Sequence, residues 1–390
     1  MARWHNWSGK LTSEPKSIHF LRSEQDACAL ARSARAQDTI LRAAGATHSH
    51  APLVQTNGII ADTAGLSGVI STEAKTQTAW IWGGTRIFAL GRPLCEAGLG
   101  LFNQGDIDQQ AIAGATATGT HGTGKDLKNL SASVVGFTLA TSSGDLITAS
   151  ATSNSELFTA ARQHLGAFGI ITRVNLQLRT AYRLAENSWR AGLDELLEDS
   201  AQHIAENRHF EFFWYPAEDL GQAKTINETD RDAEYPLADE GRRCAWNYEV
   251  LPNHRPHKHT EMEYSIPAEH GRSCLEDLRK LIATEFPDMQ WPVEYRTLAA
   301  DDIWLSTAYQ RPTITISVHQ DIRLDDEKYF RACEEIFLSY EGRPHWGKVN
   351  YLKGEMLAAR HPCWEDWWRV RDEIDPTATF LNEYMRSIRT

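Results

Sequence analysis

Short apolar runs separated by turn residues fill the first half of the chain, and the period of each run sets the element it predicts. Thr39-Ile40-Leu41-Arg42-Ala43-Ala44 predicts a strand that ends at Gly45. Gly58-Ile59-Ile60-Ala61-Asp62 and Thr78-Ala79-Trp80-Ile81-Trp82 predict two further short strands. Ile87 to Ala97 has apolar positions at helical spacing and predicts one amphipathic helix, stopped by Gly98. Two apolar runs between Ser133 and Ala149 flank Ser142-Ser143-Gly144-Asp145, which predicts a hairpin. Glu156 to His164 predicts a helix, and Gly169 to Leu178, alternating apolar and polar, a strand. Strands interleaved with helices predict an α+β layer rather than a bundle.

After Tyr182 the chain becomes richer in Trp, Tyr, His and acids. Leu193 to Ile204 and Cys274 to Glu285 predict helices, and Phe210 to Tyr215 and Thr313 to Val318 predict strands. Residues 218–260 hold many charged and turn-forming residues and predict a long surface excursion. The last stretch carries Trp346, Trp364, Trp367, Trp368, Phe380 and Tyr384. It is too short for a core of its own and is expected to pack back on the rest. These shifts divide the chain at residues 1–182, 183–345 and 346–390.

Charge narrows the choice of partner. Forty Lys and Arg stand against 52 Asp and Glu, a net −12. That balance argues against nucleic acid and against a polybasic membrane anchor. No apolar stretch approaches the ~18 residues of a membrane span. No apolar run follows Met1-Ala2-Arg3-Trp4, so no secretory signal is expected. The six cysteines are scattered, with no Cys-x-x-Cys, as expected of reduced thiols in a cytoplasmic protein. Thirteen Trp residues suit an aromatic-lined pocket.

Two segments have the chemistry of a ligand loop. Gly45-Ala46-Thr47-His48-Ser49-His50 follows a strand, and its small residues let successive N–H groups form an anion nest. Gly114-Ala115-Thr116-Ala117-Thr118-Gly119-Thr120-His121-Gly122-Thr123-Gly124 has little side chain to bury, leaving amides and hydroxyls for a phosphate or polar ring. It is neither a Walker A loop nor a Gly-x-Gly-x-x-Gly turn. A third cluster, His254, His257, His259, Glu261, Glu263 and His270, has metal-ligand residue types. Its spacing does not converge as His-Glu-x-x-His does, so it reads as a solvated loop with no metal. A zinc-dependent or purely binding protein built on it is the reading from a different class.

Taken in order, the motifs resemble the vanillyl-alcohol-oxidase flavoprotein superfamily, in its aldonolactone and alditol oxidase branch. Asn6-Trp7-Ser8-Gly9, Gly45 to Ser49, Asn103 to Asp108, Ala113 to Gly124 and Leu165 to Thr172 carry the likeness in the first half. Glu294-Tyr295-Arg296, Asp302 to Ser306, His345-Trp346-Gly347-Lys348 and Asp375-Pro376 through Asn382 carry it in the second. The resemblance implies two α+β subdomains of an FAD-binding domain, plus a substrate domain on a large antiparallel sheet with flanking helices. It implies FAD held by Gly45, Ala46, Thr47, Ser49, Gly105, Asp106, Gly114, Thr118, Gly119, His121, Gly122, Gly169 and Ile171, and attached covalently through His48.

The implied reaction takes a proton from a sugar-derived alcohol and a hydride to flavin N5. Arg296 and Lys348 match the branch's cations, which meet charge developing on the reduced ring. Glu294 shares a strand face with Arg296 and is placed to orient the hydroxyl. Ser317 and His319 share another strand face and fall at substrate-facing positions; His319 is a proton acceptor or hydroxyl ligand. Gly105 leaves room for dioxygen at the flavin, which implies an oxidase that makes hydrogen peroxide. Asp106 stands where alditol oxidases hold a hydroxyl residue. An aldono-1,4-lactone is therefore the expected substrate, with a polyol oxidase or a lactone dehydrogenase as the alternatives.

Overall fold

A computed structural model describes residues 2–389 around three main sheets. The first is parallel, with strands β1 Ser17–Phe20, β2 Leu41–Ala44 and β3 Ile59–Asp62 in the order β1-β3-β2. Helix α1, Glu24–Ala36, makes the crossover. Ser23 and Asp26 close its N-terminus as a capping box, and Ala27, Ala31 and Ala34 form its buried side.

The second sheet is antiparallel and holds β4 Val69–Glu73, β5 Thr78–Trp82, β6 Val134–Ala140, β7 Leu146–Ser150 and β8 Ile170–Gln177. Their order is β7-β6-β8-β5-β4. The expected hairpin is β6–β7, and Gly144 takes φ +83° in its turn.

The third sheet has eight antiparallel strands. They are β9 Arg183–Gly192, β10 His209–Tyr215, β11 Leu220–Glu228, β12 Cys244–Trp246, β13 His259–Pro267, β14 Val293–Leu298, β15 Thr313–Asp321 and β16 Arg343–Pro344. The order is β12-β9-β11-β10-β14-β15-β13-β16. Alternation gives each strand two characters. Met262, Tyr264, Ile266, Val293, Tyr295, Ile316 and Val318 join the hydrophobic core, with buried residues of the helices Gly271–Glu285 and Glu327–Ser339. The intervening Glu261, Glu263, Glu294, Arg296 and His319 face a cavity. The α+β class with a large antiparallel sheet is the architecture expected from the resemblance.

Several sequence expectations need correction. The helix expected over Ile87 to Ala97 is a 3-10 turn, Ile87–Ala89, followed by a helix, Gly91–Glu96. Pro93 sits in that new first turn, where its missing N–H costs nothing, and a Cβ on Gly91 would strike the Tyr248 ring at 2.4 Å. The glycine-rich segment is half helix: Ile112–Thr118 is helical, and Gly119 ends it at φ +75°. The Thr116 and Thr118 hydroxyls donate back to the Ile112 and Gly114 carbonyls instead of facing outward. The excursion over 218–260 is only partly one: residues 229–241 are irregular and largely exposed, while β11, β12 and the start of β13 within the same span are framework. His259, Glu261 and Glu263 are buried on β13, so the solvated-loop reading fails for them.

The final stretch lies against the first sheets. Trp367 stands edge-on to Phe168 with ring centroids 5.0 Å apart. Asn382 donates to the Pro52 and Gln55 carbonyls at 2.8 and 2.9 Å. Buried Arg42 donates to the carbonyls of Leu53, Leu165, Gly166 and Phe380.

Candidate active site

After β2 the chain turns through Gly45 to Ser49 and opens a cleft. Thr47 takes φ +57°, a conformation β-branched residues rarely hold. Among the described residues, the N–H groups of Ala46, Thr47, His48 and Ser49 have no acceptor within the chain. Gly45 to Ser49 line one side of this cleft; Gly114, Thr118, Gly169 and Ile171 line it elsewhere. A Cβ at Gly114 would meet nothing within 4 Å, so that helix presents open space. Trp4 Nε1 and Gln110 Oε1 are buried at the cleft without a hydrogen-bond partner. Gly119 and Gly122 shape the wall without lining it: a Cβ there would meet Gln163 or the Gln104 carbonyl.

His48 stacks on Trp7, ring centroids 5.3 Å apart at 21°. Burial, with Arg86, Lys348 and His259 nearby, lowers its pKa to about 4. The ring is therefore neutral at pH 7, with an unprotonated nitrogen available as a nucleophile.

A second cavity of about 800 Å³ lies over the eight-stranded sheet, lined by Gly105, Asp106, His121, Glu294, Arg296 and His319 among others. Its size is ordinary for a small-molecule site. Gln110, Thr120, His345 and Lys348 line both spaces, so cleft and cavity meet there.

Each of these charged side chains in the cavity has an opposite partner, some shared. Lys348 bonds Glu261, Lys224 lies 2.9 Å from Glu211, and Arg255 bonds Asp106 at 2.7 Å and Glu240 at 2.9 Å. Arg296 bonds Glu263 and lies 3.1 Å from Glu294. Burial alone would raise the Glu263 carboxyl, yet His121 and Arg296 hold it well below the usual range. Glu261 is likewise kept low by Lys348 against its burial. Glu294 goes the other way: burial pushes it up to about 8, opposed by Arg296 and reinforced by Glu211, Glu261 and Asp106.

The two residues expected on β15 separate. His319 lines the cavity, donates Nδ1–H to the Pro292 carbonyl at 2.8 Å, and is lowered to about 4 by burial. Ser317 is wholly buried and donates to Glu263 at 2.8 Å, so it reaches the site only through that carboxylate. Sequence reasoning missed Glu261, Glu263, Lys224 and His345 as parts of the site. The signal for the first two was present in His259-Thr260-Glu261-Met262-Glu263-Tyr264, which alternates as a half-buried strand does.

A family model described as D-arabinono-1,4-lactone oxidase matches residues 174–247 and 236–388. L-gulono-1,4-lactone dehydrogenase of Mycobacterium tuberculosis is 35% identical, over 99% of this chain and 98% of the relative. The chain belongs to the D-arabinono-1,4-lactone oxidase family. More distant relatives are L-gulonolactone oxidase of Bos taurus, 25% identical over 99% and 98% of the two chains, and alditol oxidase of a Streptomyces, 26% over 98% of both. The fold is also that of cholesterol oxidase from Brevibacterium sterolicum, at TM-score 0.88 and 17% identity over 100% and 96% of the chains.

An FAD binding domain model matches residues 15–150, which include the cleft's nest, so the cofactor of this lactone oxidase family member is FAD. The residues fit the group. Free N–H groups at 46–49 suit a pyrophosphate, the space over Gly114 admits a ligand close to backbone, and Trp4 Nε1 and Gln110 Oε1 have hydrogen-bonding capacity to spare. No helix among the described residues is long and apolar enough to cross a membrane.

Proposed function

We propose that this protein oxidises a hydroxyl carbon of a sugar-derived 1,4-lactone, with FAD in the cleft and the lactone in the cavity. The observation that carries the reading is the junction at Gln110, Thr120, His345 and Lys348, the place where two bound molecules would meet. FAD, when bound, takes up the hydride that leaves the alcohol carbon. The chain holds the hydroxyl and removes its proton. Glu294 is the acceptor, since a carboxyl near 8 retains enough basicity to take a proton at working pH. Arg296 steadies the alkoxide as it forms, and neutral His319 binds a second hydroxyl. Ser317 acts by anchoring Glu263. The names of the relatives support a lactone, and Asp106 is a carboxylate whose oxygens are already taken by Arg255 and Asn253, not a hydroxyl residue.

His48 carries FAD covalently in this reading, because it is neutral, stacked in place and turned to the cleft. Residues 1–182 hold FAD, 183–345 hold substrate, and 346–390 brace both. Gly105 leaves room for dioxygen, and hydrogen peroxide is the second product. All six cysteines are unbridged, which suits the cytoplasm.

Acid precipitation of the purified protein tests the attachment. Flavin should stay in the pellet and move to the supernatant in His48→Ala. Under nitrogen, a 1,4-lactone should bleach the flavin and air should restore it. Bleaching by polyols alone would replace the lactone, and bleaching that survives air would leave a dehydrogenase.

A further inference from the structure

His121 sits between two acceptors. Its Nδ1 lies 2.9 Å from the Gly122 carbonyl, and its Nε2 lies 2.9 Å from Glu263 Oε1. A carbonyl has no proton to give, so Nδ1 must carry one. Glu263 is the acceptor in every other bond it makes: Oε2 receives N–H from Arg296 and O–H from Ser317. A carboxylate with that many donors is held ionised, and its remaining contact, with Nε2, then requires a second proton on the ring.

The neighbouring histidine is built the opposite way. His345, with its ring centroid 5.6 Å from that of His121, accepts the Gly347 N–H on Nδ1 at 3.0 Å. Its single proton is therefore on Nε2, and burial lowers it to about 3. The groups facing His121 are thus Glu263 from β13, neutral His345 after β16, and, across Glu263, Arg296 from β14 and Ser317 from β15.

We infer that His121 is held as a doubly protonated imidazolium and supplies the uncompensated positive charge where cleft and cavity meet. Lys348 is answered by Glu261, and Arg296 and His121 share Glu263. Glu294 answers nothing once it has taken the substrate's proton, so three cations then face two carboxylates. A negative charge that develops at the junction is stabilised by that excess without any group having to move. The assignment of His121's protons stands on its contacts alone; its use at the junction rests on the FAD reading above.

Long-range ¹⁵N–¹H NMR of the holoenzyme labelled with ¹⁵N-histidine tests the protonation. One histidine should show both nitrogens protonated in the folded holoenzyme. That signal should vanish in His121→Gln. In Glu263→Gln the new amide donates to Nε2, so the same ring should turn into a neutral tautomer with one bare nitrogen. A His121 with one bare nitrogen in the wild type would overturn the inference, as would a Glu263→Gln protein that leaves it doubly protonated. Sulfite, an anion that adds to oxidised flavin, reads the charge at the junction. His121→Gln should weaken its binding about tenfold, the scale of one local charge pair; unchanged affinity would remove the electrostatic role. A protein that takes up no flavin would sink the FAD reading, while the NMR result would still decide the protonation of His121.

Discussion

Glu294 on β14 and Glu263 on β13 flank β15 on one sheet face, both buried and both in reach of Arg296, yet they are driven in opposite directions. Glu263 has three side-chain donors and stays ionised; Glu294 has one cation and three acidic neighbours, and keeps its proton. An acceptor with a raised pKa works in its ionised form, which grows as pH rises. The rate of flavin reduction by lactone should therefore climb through about pH 8 and level off above it. Glu294→Gln should remove that limb and slow reduction by roughly 10²-fold or more, as measured by anaerobic stopped flow. A histidine-rich spacing without a helical ligand motif gave no reason to look for this division of labour. It arises from contacts between residues far apart in sequence, such as His121 with Glu263, and no local pattern records those.

At the level of elements, legibility depended on whether a segment's neighbours were also its sequence neighbours. The hairpin of β6 and β7 and the helix at Leu193–Glu206 follow local rules and fall where the pattern puts them. The glycine-rich helix Ile112–Thr118 does not, because glycine and threonine are weak helix formers and only packing against the cleft wall makes them helical. That packing makes two glycines testable. Gly114→Leu should leave the thermal midpoint nearly unchanged, since nothing lies within 4 Å, but should cut FAD uptake by about tenfold or more. Gly119→Ala should cost about 1 kcal/mol or more by chemical denaturation, from its φ of +75° and the Gln163 amide 3.0 Å away. Strand β13 was misjudged for another reason. Charged residues usually mark solvent, and here they mark a buried polar face paired charge by charge.

Across the whole molecule, burial keeps several histidines neutral. His164 and His319 are lowered to about 4, and His209, His345 and His361 to about 3, in each case chiefly by burial. These folded values lie below the unfolded one of about 6.5, so the stability they contribute is complete above pH 6.5. It is lost as pH falls from there toward 4. Calorimetry across that window should show the unfolding temperature dropping steeply, well before most carboxylates protonate. Trp367→Ala, which opens the contact with Phe168, should cost about 3–5 kcal/mol at neutral pH.

The bonds from Arg42 to the Phe380 carbonyl and from Asn382 to the Pro52 and Gln55 carbonyls also set an order in time. A ribosome makes Phe380 338 residues after Arg42. The Leu53, Leu165 and Gly166 carbonyls are there for the guanidinium beside the cofactor cleft well before the Phe380 carbonyl is. Firm capture of FAD thus waits for the segment at Phe380 to Asn382, and a ribosome stalled before Phe380 should display a nascent protein that folds much of its sheet structure but holds flavin weakly.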